Sequence, residues 1–182
     1  MLVGDPEVMR FIGTGRAATL DGVAGAIDNL NARYEADRFG VLAIERRSDS
    51  RFIGRVGFWV WDRRDWTGGW TRTELGEHAE VELGWALLRS VWGHGYATEA
   101  ASAMRDFAFR QLGLTRLISL IHPQNARSLR VAKRLGATHE SDIETARWGP
   151  ARLYVHSATN EIDTSALEAS NQLEAAEQPL IE

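Results

Sequence analysis

The sequence contains no cysteine. This excludes disulfides, a thiolate nucleophile and any metal site built on sulfur, and it suits a reducing cytoplasm. No apolar run approaches the ~20 residues of a membrane span. The opening MLVGDPEV has neither the basic region nor the apolar stretch of a secretory signal. A positive excess is missing too. The formal net charge is −4, so nucleic acid finds no electrostatic footprint. There is no internal repeat. The expectation is a cytoplasmic protein with no membrane partner, no nucleic-acid partner and no metal.

What is present is ordinary for one folded domain: 182 residues, 44% apolar and 25% charged. The charge is unevenly placed. Ala158–Glu182 holds six acids and no Lys or Arg, which leaves +2 on residues 1–157. That body is expected to fold as a single domain. The acidic tail is expected to be mobile or weakly helical, around a capping box at Ser165–Glu168.

Along the body, Asp5-Pro6 reads as an N-cap followed by proline in the first turn, opening a short helix to about Ile12. Thr19 caps a longer helix with a stripe of Leu20, Val23, Ala24, Ile27, Leu30 and Tyr34. Residues 39–45 and 52–61 read as strands, with Gly54 and Gly57 marking a bulge or a close backbone approach. Residues 62–78 read as a polar loop. A strand follows at 79–88, then a helix at 97–112 closed by Gly113. A short apolar strand spans 116–121, and Asn125 caps a last helix closed by Gly136. Two strands, 137–142 and 151–157, end the body. The order implies an α/β sheet, antiparallel at first, with one right-handed β-α-β crossover in its middle.

The stretch VWGHGYATEA, Val91–Ala100, lies where a strand hands over to the best helix in the chain. A helix start leaves amides unpaired and carries partial positive charge. Gly93, Gly95 and Ala97 withhold side-chain bulk, so an anion can reach the amides of residues 93–98. The same stretch also serves as a tight turn with no ligand. Two phosphate loops are excluded. No Lys-Ser/Thr follows the second glycine, and the third glycine of a dinucleotide fingerprint would fall at Thr98.

VELGWALLRSVWGHGYATEAASAMRDFAF, followed by HPQNARSLRVAKRLGA, resembles the GNAT N-acetyltransferases, and specifically their RimJ/RimL-like branch. The resemblance covers about residues 5–157. It implies the GNAT acyl-CoA N-acyltransferase fold: a mixed sheet with antiparallel first strands and one splayed parallel pair, here 79–88 and 116–121. It also implies transfer of acetyl from acetyl-CoA directly to a primary amine in a ternary complex. The acceptor would be a protein N-terminus or a small molecule. A noncatalytic acyl-CoA-binding or interaction module on the same fold is the alternative.

By the same resemblance, the loop Trp92, Gly93, His94, Gly95, Tyr96, Ala97 and Thr98 would hold the pyrophosphate. Asn125 would contact the pantetheine arm, and the amides near Ala86 and Leu87 would hold the thioester carbonyl. Glu82, in a strand flanked by Val81, Leu83 and Trp85, would bind the amine or act as general base. A structural carboxylate satisfied by an arginine is the competing role. The tyrosine that many relatives place beside the sulfur aligns with Ala132, so Ser128 or solvent would protonate the leaving thiolate. Glu80 shares a strand face with Glu82, and the two would converge if the acceptor were a small cation. Trp59, Trp61, Trp66 and Trp70 cluster before the Glu82 strand as candidates for an acceptor wall, although Trp59 and Trp61 read first as residues that merely pack a strand. The family's usual first edge strand is missing, with Leu2-Val3 as its remnant, or the start lies upstream. Strand 39–45 would then be an open edge, available for a homodimer.

Overall fold

β-Branched and aromatic residues crowd Arg51–Asp62, and they build the longest strand, β2. The computed structural model describes residues 1–146 and 148–158, and for Leu20 and Asp21 the backbone alone. The Ser165–Glu168 capping box and nearly all of the acidic tail lie outside the described residues. The elements run α1 (Pro6–Met9), α2 (Leu20–Asp37), β1 (Val41–Arg46), β2, β3 (Thr67–Gly68), α3 (Arg72–Leu75), β4 (Ala79–Leu87), α4 (Tyr96–Arg110), β5 (Leu117–Ile121), α5 (Ala126–Arg134), β6 (Thr138–Thr145) and β7 (Gly149–His156).

One sheet joins the strands in the order β1-β2-β4-β5-β7-β6, with β3 on the end of β2. All its pairs are antiparallel except β4 with β5. That pair holds a single register partner, Glu82 with Ile118, so the two strands part soon after they meet. Helix α4 makes the crossover between them. Strand alternation sorts the two faces of the sheet. Val56, Phe58, Val60, Val81 and Leu83 pack with Ala101 and Ala108 of α4 in the main core. Arg55, Trp59, Trp61, Glu82 and Ala86 look out on the other face.

Gly54 and Gly57 are explained by close backbone approach. A Cβ on Gly54 would lie 2.4 Å from the Ala86 carbonyl oxygen, and one on Gly57, at φ 149°, would lie 2.2 Å from that of Gly40. The sheet can pack β2 this tightly only with hydrogen at both positions. A bulge adjoins the first of them: Ile44 pairs with Gly54 and Glu45 with Phe52, which leaves Ile53 of β2 as the extra residue.

Four expectations are corrected. The stripe of α2 does not enter the core. Ile27 is 49% and Tyr34 41% exposed, and none of the helix's described side chains is fully buried. The helix is held at its end instead, where Tyr34 lies against Gly40 and Asp37 accepts the Arg72 N–H at 2.9 Å. The first helix stops at Met9, and the chain from Arg10 turns back over the sheet. The loop 62–78 contains β3 and the short α3, which is capped by a reciprocal Thr71–Glu74 box. Leu2 does not form a strand but is buried with Val8 against Ala86. β1 ends the sheet, with Leu42 43% exposed.

Arg105 is a buried cation of α4. It donates to the Leu135 carbonyl at the end of α5 at 2.8 Å and pairs with Asp106 at 2.8 Å. Among the described residues no helix is long and apolar enough to cross a membrane.

Candidate active site

The parting of β4 and β5 opens a cleft of about 790 Å³ on the face opposite α4. Its floor is β4 from Glu82 to Ala86, with Arg55, Trp59 and Trp61 of β2 beside it. The segment Met9–Arg16 forms one wall. Ser119–His122 with Asn125 and Ser128 forms another, and the turn between β6 and β7 with Trp148 forms a third. Trp61 and Trp148 meet edge to face, with ring centroids 4.7 Å apart. Phe11 packs against the His122 ring at 5.0 Å.

Glu82 stands on that floor, where Trp59 is its register partner across the ladder. The Trp61 indole N–H donates to its carboxylate at 2.6 Å. Burial pushes the Glu82 carboxyl up to about 7. The Trp61 N–H, the Leu120 main-chain N–H and the Arg55 charge favour the ionised form and only partly offset this. The group therefore exchanges protons near neutrality, where a general base is most effective. Glu80 does not converge on it. Glu80 is 6% exposed and bound at 3.0 Å by Arg116, which also bonds Glu140. Glu80 is thus a structural carboxylate satisfied by an arginine.

At the carboxyl end of β4 the glycine loop is open. Gly93 and Gly95 have φ of 85° and 87°, and a Cβ on either would meet nothing within 4 Å. Gly95 is the N-cap of α4, and no side chain caps that end. The amides of Tyr96, Ala97 and Thr98 thus head a fifteen-residue helix without a side-chain acceptor. His94 turns to its own backbone, with Nδ1 3.0 Å from the Trp92 carbonyl oxygen. Trp92 ties the loop down. Its Nε1–H donates to the Leu87 carbonyl at 2.9 Å, and the Arg127 guanidinium lies over its ring at 4.3 Å.

Asn125 caps α5 by accepting the Ser128 N–H at 3.2 Å, and both residues line the cleft. Ala132 is fully buried, so α5 offers no hydroxyl there. Ala86 lines the floor, while Leu87 is buried beneath the loop. Where β4 and β5 separate, the Ser119 hydroxyl donates to the Leu83 carbonyl at 2.6 Å. His156 Nε2 lies 2.9 Å from the same hydroxyl. The one hydroxyl proton is already used, so Nε2–H must donate, which leaves Nδ1 buried and without a partner.

The sequence picks out the glycine loop, Glu82, Trp59 and Trp61, all of which the structure gathers around β4. Trp66 and Trp70 lie outside the cleft. Phe11, Trp148, Arg10, Arg16 and Arg127 were not foreseen. Arg55 was not foreseen either, although a cation inside FIGRVGFWVW is a signal of the same kind as Glu82 in its own strand.

This architecture and cleft define a class of α/β protein, and comparison supplies the family. Residues 1–138 match the model of the Acetyltransferase (GNAT) domain. The uncharacterized N-acetyltransferase YnaD of Bacillus subtilis is 31% identical over 136 residues, covering 75% of this chain and 69% of its own. An acetyltransferase structure from Agrobacterium tumefaciens is 29% identical with a TM-score of 0.63, covering 84% of this chain and 82% of that one. The structure of AAC(6′)-Ib in complex with ribostamycin and coenzyme A is similar in fold, with a TM-score of 0.66 at 18% identity, covering 86% and 84%. The chain belongs to the GNAT acetyltransferase family.

Proposed function

We propose that this protein is an N-acetyltransferase of the RimJ/RimL-like branch that moves acetyl from acetyl-CoA to a primary amine without a covalent enzyme intermediate. One observation carries the reading. A carboxyl group raised to about 7, Glu82, stands on β4 in the cleft opened by the parted parallel pair, and the same strand runs on to the glycine loop and the uncapped start of α4. A relative from Aspergillus fumigatus, 31% identical over 136 residues, carries the name FsC-acetyl coenzyme A-N(2)-transacetylase, which supports the same donor and a nitrogen acceptor.

The residues fit the donor. The amides of residues 93–98 and the positive end of α4 would take the pyrophosphate. Asn125 and the free edge of β4 would take the pantetheine arm, and the amides near Ala86 and Leu87 the thioester oxygen. Glu82 takes a proton from the acceptor ammonium. The freed nitrogen attacks the thioester carbon and the C–N bond forms; the adduct's nitrogen then loses its second proton to solvent as the C–S bond breaks. The thiolate takes a proton from Ser128 or from solvent, whose part is eased by a thiol pKa near 8.5.

The test is thiol release from acetyl-CoA with a panel of amines, beside thermal melts with coenzyme A. The reading expects both turnover and a raised melting temperature. Stabilisation by coenzyme A with no turnover on any amine would make the protein a binding module. No stabilisation would remove the loop from coenzyme binding.

A further inference from the structure

Arg55 is a cation in the cleft with no hydrogen-bond or ion-pair partner among the described residues. It sits in the middle of β2, between β1 and β4, on the floor of the cleft. Its Nε is buried without a hydrogen-bond partner, and no carboxylate among the described residues forms an ion pair with it. Burial pulls its pKa below the ordinary value, partly offset by the nearby Glu82 charge. An unpaired guanidinium in a partly desolvated place is costly, and such groups are normally satisfied. Its guanidinium lies over the Trp59 ring at 5.4 Å. Trp59 is also the register partner of Glu82. One indole is therefore flanked by an acid and by a cation that do not bond each other.

The rest of the lining has the same sign. Arg10 and Arg16 stand at the rim, and Glu82 is the one acid in the wall among the described residues. A polycationic amine would meet three arginines there. A peptide N-terminus would bring a neutral amide beside its amine and leave Arg55 without an anion. An α-amino acid brings a carboxylate one carbon from its nitrogen. Its ammonium suits Glu82, and its carboxylate suits the planar fork of a guanidinium. Phe11 and Trp148 offer apolar surface to its side chain.

We infer that the acceptor is a free α-amino acid with an apolar or aromatic side chain, its carboxylate held by Arg55 and its nitrogen facing Glu82. The inference rests on the acetyl-transfer reading and adds the acceptor class to it.

The experiment compares kcat/KM for L-phenylalanine, L-tryptophan and L-methionine with their carboxamides, and with phenethylamine, spermidine, ribostamycin and a short peptide. The parent should prefer each carboxylate over its carboxamide by about 10- to 100-fold, the size of one charge-assisted hydrogen bond. In Arg55→Met that ratio should collapse towards one, mainly through KM for the carboxylate. Arg55→Lys should restore part of it. Coenzyme A should raise the melting temperature of all three proteins equally, which also shows that the variants fold.

Three results would overturn the inference while leaving acetyl transfer standing. They are turnover of spermidine, ribostamycin or the peptide above the amino acids, a carboxylate preference that survives in Arg55→Met, and loss of coenzyme binding in that variant. No turnover with any amine would overturn the acetyl-transfer reading itself, and the inference with it.

Discussion

Glu80 and Glu82 stand two residues apart on one strand face, and their surroundings separate them. Arg116 binds Glu80 in an ion pair, whereas burial raises the Glu82 carboxyl to about 7 at the floor of the cleft. If Glu82 is the base, kcat/KM must rise with pH through about 7 as the carboxyl ionises. That limb should stay in place when acceptors of different pKa are used. Glu82→Gln keeps an oxygen for the Trp61 N–H, and it should abolish the limb and lower turnover by about 10²- to 10⁴-fold while coenzyme A still binds. Unchanged turnover would take Glu82 out of the chemistry. Trp61→Phe withdraws a donor that favours the ionised carboxyl, so the limb should move to higher pH. A limb that stays put or moves down in steady-state pH profiles would contradict this.

At the level of elements, local signals were readable and long-range ones were not. The helix start at Gly95, the cap at Asn125 and the strand around Glu82 each announce themselves within a dozen residues, because caps, glycines and alternation act over short distances. The division of labour between the two glutamates was not readable, since Arg116 lies 36 residues beyond Glu80. Phe11 and Trp148 carry no signal of their own and reach the cleft only through the sheet order. Helix α2 shows the converse. Its periodicity is real, yet a stripe does not say whether anything covers it. Gly57 gives a sharp test of the packing inside β2. With φ at 149° and the Gly40 carbonyl oxygen 2.2 Å from any added Cβ, Gly57→Ala should cost about 2–4 kcal/mol in chemical denaturation. A loss under about 0.5 kcal/mol would show that β1 and β2 are not so close.

For the molecule as a whole, a half-buried acid and a buried histidine pull stability in opposite directions over one pH range. Burial and the Arg105 charge lower His156 to about 4 from 6.5. Its contribution is complete above about 6.5 and is lost as pH falls towards 4, because the unfolded chain binds the proton more readily. Glu82 is raised from 4.5 to about 7. The folded chain therefore binds its proton more readily, and stability falls as pH rises from 4.5 to 7. The two shifts are similar in size, so they largely cancel in the parent. Glu82→Gln should uncover the histidine, so that its melting temperature drops more steeply than the parent's from pH 6.5 to 4.5. His156→Asn should do the reverse, with stability declining from pH 4.5 to 7. Melting curves that run parallel for all three proteins would refute the assignment.

Helix α5 is clasped at both ends: Arg127 lies over Trp92 of the glycine loop at its start, and Arg105 of α4 grips the Leu135 carbonyl at its finish. The two helices cannot drift apart without breaking a cation–π contact in the open and a charged hydrogen bond in the interior. They form a caliper whose jaws are set by the fold rather than by whatever lies between them. The spacing between the glycine loop and Asn125 is thereby set by contacts inside the protein, so a ligand bridging the two would meet a preformed gap.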